Sequence, residues 1–236
     1  MPWHFTYLLL GCMICLGALV VFVVRPDLRR PIVTTGLIGA SVEAVAEIWY
    51  LQDYWRPPTI LPWPTPEDLL YGFGVTALAT CAVPFWFRRR YEPRTGSTAR
   101  EGWVVFPLVV FCLTMTSLGQ ASTLPSIWTA TLVFAVVGLV ACLMRRDLWW
   151  VGLTAGTIMG IVAIIGYGVG LNYVIDGHGF LDQVLLITGT RWDIRVLGSI
   201  PLDEIAWNIA RGWCVAALYP LLTAQQLVPL RTWSQK

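Results

Sequence analysis

Six carboxylates set in apolar surroundings are the chemistry this chain offers. Glu43 and Glu47 fall inside one apolar run, four residues apart, and so on one face of a helix. Glu67 and Asp68 follow Thr65–Pro66 at the start of another run, and Asp203 and Glu204 follow Pro201 at the start of a third. Glu204, Asn208 and Arg211 keep the i, i+4, i+7 spacing and share a stripe. Ionisable groups in hydrocarbon are costly when unpaired, so they face a partner or a cavity. Acid pairs in an apolar slot suit general acid–base work, because burial and a neighbouring carboxylate both favour the protonated form. Each pair also has a plainer explanation. Threonine suits an N-cap, proline the first helical position and acids the first turn, so capping alone explains Thr65-Pro66-Glu67-Asp68 and the segment after Pro201. For Glu43 and Arg211 the two readings are a structural ion pair between helices and direct participation in chemistry.

Other chemistries have less support. Asp176, His178 and Asp182 lack a ligand spacing, and no metal or cofactor is expected. There is no G-x-G-x-x-G after a strand, no P-loop and no arguable Ser–His–Asp set. Cys12 and Cys15 form a lone CxxC, read as membrane filler rather than a redox or metal site.

The elements that must carry these residues are membrane helices. Of 236 residues, 56% are hydrophobic and 13% charged, with a mean hydropathy of +0.65; a soluble domain carries about 25% charged residues. Apolar runs long enough to cross a bilayer lie near 3–24, 32–51, 67–87, 103–123, 127–143, 148–175 and 201–224. The expected fold is all-α, a polytopic bundle of about seven transmembrane helices in one domain, 1–236. Twelve of the sixteen basic residues fall in alternate connections and the tail, including Arg25, Arg88, Arg89, Arg90 and Arg145. The positive-inside rule then puts the N-terminus outside and the C-terminus in the cytoplasm. No basic cluster is left over for nucleic acid. Arginines follow the first span as a stop signal, so it reads as a retained helix rather than a cleaved leader. Glu43 and Arg211 come out at about the same depth, at ~1.5 Å per residue, and Glu43 is expected to neutralise Arg211, with Asn208 near Glu47.

Two stretches echo each other. Around 42–80 and 168–219, a span ends in aromatic and polar residues, an outer loop follows, and proline precedes an acidic pair that opens the next span. Spans 1–3 (about 3–87) and 5–7 (about 127–224) read as two parallel copies of a three-helix unit, joined by a linking helix at about 103–123. In the long outer loop, Phe180, Leu181, Val184, Leu185 and Ile187 are spaced like the face of a short interfacial helix, or else belong to a plain connector.

TPEDLLYGF at 65–73, IPLDEIAW at 200–207 and WYLQDYWRPPTI at 49–60 resemble the lycopene cyclase domain family of membrane carotenoid cyclases. That family carries Pro-x-Glu-Glu/Asp once per three-helix unit. Here Thr65 stands at the first motif's proline position, and Asp203 replaces its usual Glu. The resemblance implies a redox-neutral, cofactor-free cyclisation of a linear carotenoid or related isoprenoid end group. A protonated carboxyl gives its proton to a terminal double bond, a neighbouring double bond attacks the resulting cation and closes the ring, and a proton is lost. Glu67, Asp68, Asp203 and Glu204 would be the acid–base groups. Trp49, Tyr50, Tyr71, Trp207 and Trp213 would hold the substrate and its cation, while Glu43, Glu47, Asn208 and Arg211 form a supporting polar network. A non-enzymatic isoprenoid- or lipid-binding protein and a proton-coupled transporter are the competing readings.

Overall fold

The computed structural model describes residues 5–95, 124–174 and 179–230. These form seven α-helices and two small antiparallel ribbons. The helices are α1 (Thr6–Val24), α2 (Arg29–Asp53), α3 (Pro66–Trp86), α4 (Ser126–Met144), α5 (Trp149–Ile165), α6 (Phe180–Val184) and α7 (Leu202–Leu222). Beyond α5 the chain continues as a π-helical segment, Gly166–Val174. α1 to α5 are long and apolar enough to cross a membrane, α2 and α5 being counted with their flanking turns. α7 has 21 residues, as α3 does, but carries Asp203, Glu204 and Arg211 and lies mostly buried. Six of the seven expected spans therefore coincide with long helices, and the linking helix expected at 103–123 lies outside the described residues.

Small residues set the packing. α3 lies against α2 so closely that a Cβ on Gly39 would sit 2.4 Å from the Gly72 carbonyl oxygen. α7 packs the same way on α5, where Gly152 faces Trp213 and Gly160 faces Ile209. In lipid no hydrophobic force drives helices together, and small residues let membrane helices associate through such close backbone approach. α3 and α7 meet at the centre, where the Tyr71 and Trp207 rings stack at 6.1 Å.

Two connections at one end of the bundle, after α1 and after α4, are built alike. Arg25 donates to both Asp27 oxygens (2.9 and 2.7 Å), to the Pro84 carbonyl (2.9 Å) and to the Arg89 carbonyl. Arg145 donates to both Asp147 oxygens (3.2 and 2.6 Å), to the Pro220 carbonyl (3.0 Å) and to the Gln225 carbonyl (2.8 Å). The proline carbonyls belong to the last turns of α3 and α7, where helices leave acceptors unpaired. Each helix then turns through a positive-φ residue, Arg88 or Ala224, into a strand. The strands β1 (Arg89–Pro93) and β4 (Gln225–Pro229) pair antiparallel, with Tyr91 opposite Leu227. This ribbon was not expected of an all-α chain, since its residues look like ordinary loop arginines and glutamines.

The opposite end of the bundle is closed by backbone pairing as well. Leu186 N–H donates to the Tyr54 carbonyl and Arg56 N–H to the Val184 carbonyl, each at 2.7 Å, bringing Trp55 opposite Leu185. Phe180, Leu181, Val184, Leu185 and Ile187 are all buried in the main core. The short helix α6 thus turns its apolar face onto the protein, not onto a membrane surface. A hairpin of β2 (Arg195–Val196) and β3 (Ile200–Pro201) leads into α7. Beside it Arg195 pairs with Asp193, and with Asp182 at 3.1 Å. Burial would raise the Asp193 carboxyl, but hydrogen bonds from Arg195 and the Gly189 N–H hold it below the usual carboxylate range.

Candidate active site

The acids gather at one end of the bundle, where the second half of α2 meets the first turns of α3 and α7. Glu204 is central. Its two carboxyl oxygens each take a tyrosine hydroxyl at 2.6 Å, Tyr54 on Oε1 and Tyr167 on Oε2. Tyr54 reaches it from the turn after α2, and Tyr167 from the second residue of the π-helical segment. Wide π turns re-aim side chains and often mark functional positions. Asn208 turns back to the Glu204 carbonyl at 2.9 Å.

Asp68 occupies the matched place on α3. It receives the Tyr7 hydroxyl at 2.6 Å and the Thr65 hydroxyl at 2.5 Å, while its own N–H is capped by Thr65 at 3.1 Å. Capping and burial therefore go together at this residue. Glu67 accepts the Ile60 N–H at 2.9 Å through Oε1. Its Oε2, and Oδ2 of Asp203, make no hydrogen bond among the described residues, although both side chains are buried.

Glu43 pairs with Arg211 at 2.7 Å, as the depth argument expects. Arg211 also donates to the Thr76 hydroxyl (2.7 Å) and the Gly72 carbonyl (3.2 Å), and its guanidinium lies 4.5 Å from the Trp207 ring centre. Four partners around one cation explain how it sits fully buried in apolar packing. Glu47 accepts from Trp55 Nε1 at 3.1 Å, while Asn208 is engaged with the Glu204 backbone.

Between these groups lies a cavity of about 20 Å³. Glu204 and Glu43 are its carboxylates, and Tyr7, Tyr54, Trp55, Tyr71 and Trp207 form most of its wall. Tyr50 lines it too, and takes a hydrogen bond from Trp207 Nε1 at 3.2 Å. Glu67, Asp68 and Asp203 stand behind this wall rather than in it. Trp49 is half-buried on α2 and does not line the cavity. Trp213 lies away from it, against Cys142 and Trp149. Four lining or bridging aromatics had not been singled out: Tyr7, Tyr54, Trp55 and Tyr167. Tyr54 and Trp55 sit in the same aromatic stretch as Trp49 and Tyr50, and only the turn after α2 brings them inward. A second, apolar cavity of about 60 Å³ adjoins the first and shares Tyr71 and Tyr167 with it.

No group of three metal-ligating side chains occurs among the described residues. Asp176 and His178 fall outside them. Comparison of the chain with family models, curated proteins and solved structures finds no match.

Proposed function

We propose that this chain is a multi-pass membrane enzyme that cyclises an isoprenoid end group by acid catalysis, in the manner of the lycopene cyclase domain family. The observation that carries the reading is Glu204, held by two tyrosine hydroxyls in an aromatic cavity. In the proposed reaction the Glu204 carboxyl gives its proton to a terminal double bond. Tyr54 and Tyr167 orient it, since a phenol can either donate to a carboxylate or accept from a carboxylic acid. A neighbouring double bond attacks the cation, and the ring closes. The carboxylate then removes a ring proton, leaving the alkene and restoring the acid. Arg211 already occupies a face of Trp207, which leaves Tyr7, Tyr50, Trp55 and Tyr71 among the lining aromatics to shield the cation.

The reading includes a duplicated architecture, with the first helix entering from outside. Three features support it. Arg25 and Arg145 make the same contacts, Asp68 and Glu204 each take a tyrosine hydroxyl at the same helix position, and Tyr71 stacks on its counterpart Trp207. In this arrangement α7 is a further span, tolerated in lipid because its charges point inward.

The test is expression in a lycopene-accumulating bacterium, with pigments separated by chromatography. New monocyclic or bicyclic carotenoids are expected. Unchanged lycopene alongside good membrane expression would remove the cyclase reading. It would leave a second one, a non-enzymatic isoprenoid-binding protein, which the apolar cavity lined by Leu10, Ile14, Val75 and Met159 favours.

A further inference from the structure

The acid-lined cavity is too small for more than one water-sized group, at about 20 Å³. Any organic substrate must therefore enlarge it, and the boundary with the apolar cavity shows where. Tyr71 and Tyr167 belong to both walls, and their hydroxyls are 3.4 Å apart. The bonds from Tyr167 and Tyr54 to Glu204 are 2.6 Å. The contact between the two tyrosines is thus the weakest link in the chain of hydroxyls. Breaking it joins the two spaces without detaching Tyr167 from Glu204.

The adjoining space is a groove with α3 as its floor and α1 and α5 as its sides. Leu10, Ile14, Val75, Leu78 and Met159 line it, and Val162, 41% exposed, stands at its lip. Gly166 closes its outer end. The glycines of α5, just before it, are filled by neighbours: Gly152 by Trp213, Gly156 and Gly160 by Ile209. A Cβ on Gly166 would meet nothing within 4 Å, and its backbone is ordinary right-handed helix (φ −59°). Neither helix packing nor backbone conformation calls for glycine there. What it leaves is room in the groove.

We propose that this groove holds the hydrocarbon tail of an elongated isoprenoid that enters sideways from the bilayer, with Tyr71 and Tyr167 as the gate between tail and acid. The class of hydrocarbon rests on the cyclase reading. An acid and aromatic faces behind the Tyr71–Tyr167 contact serve an alkene that gains a proton, and have nothing to offer a saturated acyl chain.

The experiment uses the full chain in phosphatidylcholine nanodiscs with a diazirine-bearing geranylgeraniol, and a diazirine-bearing palmitate for comparison. Photolysis should label residues 10–14 and 159–166. Gly166→Leu should cut that labelling at least tenfold with an unchanged melting temperature, and Ala163→Leu provides the same block should Gly166→Leu fold poorly. Undiminished labelling in both variants, or equal labelling by palmitate, overturns the proposal. The two readings fail separately. Groove labelling without cyclic pigment in cells removes the cyclase and keeps the groove; cyclic pigment undiminished by Gly166→Leu does the reverse.

Discussion

Arg211 and Glu43 meet at 2.7 Å in the middle of the bundle, tying α7 to α2 through side chains that are 2% and 7% exposed. Removing one member leaves the other as a buried, uncompensated charge, at a cost of about 3–5 kcal/mol. Replacing both is far milder. Arg211→Met should therefore lower the melting temperature in detergent sharply, while the double variant Glu43→Gln/Arg211→Met recovers most of the loss. A double variant no more stable than Arg211→Met would mean that Thr76, Gly72 and Trp207, not Glu43, are the contacts that matter.

Glu204→Gln keeps the shape and both tyrosine contacts but has no acidic proton to give. Cyclic product should fall by at least ~100-fold, the usual range for loss of a general acid. Tyr54→Phe and Tyr167→Phe each remove one hydrogen bond and should cost about tenfold, equivalent to about 1.4 kcal/mol. Pigment chromatography measures both. Full activity in Glu204→Gln would move the proton donor elsewhere, with Asp68 the next acid to test.

Gly72 and Gly166 should respond in opposite ways to one methyl group. At Gly72 a Cβ would lie 2.5 Å from the Glu43 Cβ and 2.7 Å from the Gly39 carbonyl oxygen. Gly72→Ala must push α2 and α3 apart, at a cost of about 1–3 kcal/mol. Gly166→Ala meets open space and should change stability by no more than ~0.5 kcal/mol. Thermal unfolding of the two variants side by side gives the comparison.

The orientation is open to direct test with an impermeant maleimide on a chain whose own cysteines are replaced by alanine. Leu197, 79% exposed in the β2–β3 hairpin, should label as cysteine in intact cells if the proposed orientation holds. Glu92, on the ribbon at the opposite end, should label only after permeabilisation. The reverse pattern would invert the topology and put the acids on the inner side.

Helices were the legible part of this sequence, because a bilayer crossing leaves long apolar runs that few other structures need. The Glu43–Arg211 pair was legible as well, since depth along two antiparallel helices follows from the rise per residue alone. What was not legible depends on where the chain turns. Tyr54 and Trp55 differ from Trp49 in type hardly at all, and only the fold-back after Asp53 decides which of them faces Glu204. Tyr167 is aimed by a π-helical turn that hydropathy cannot reveal. The β1–β4 ribbon joins residues far apart in the chain, and neither strand has the alternating pattern of a sheet.

That ribbon has a consequence for how the chain assembles. β1 finds its partner only in the other half of the molecule, and so does β4. Either half alone would present a bare strand edge to any matching chain nearby. Carrying both on one polypeptide raises the effective concentration of each strand for the other, so the ribbon closes within a molecule before it can bridge two.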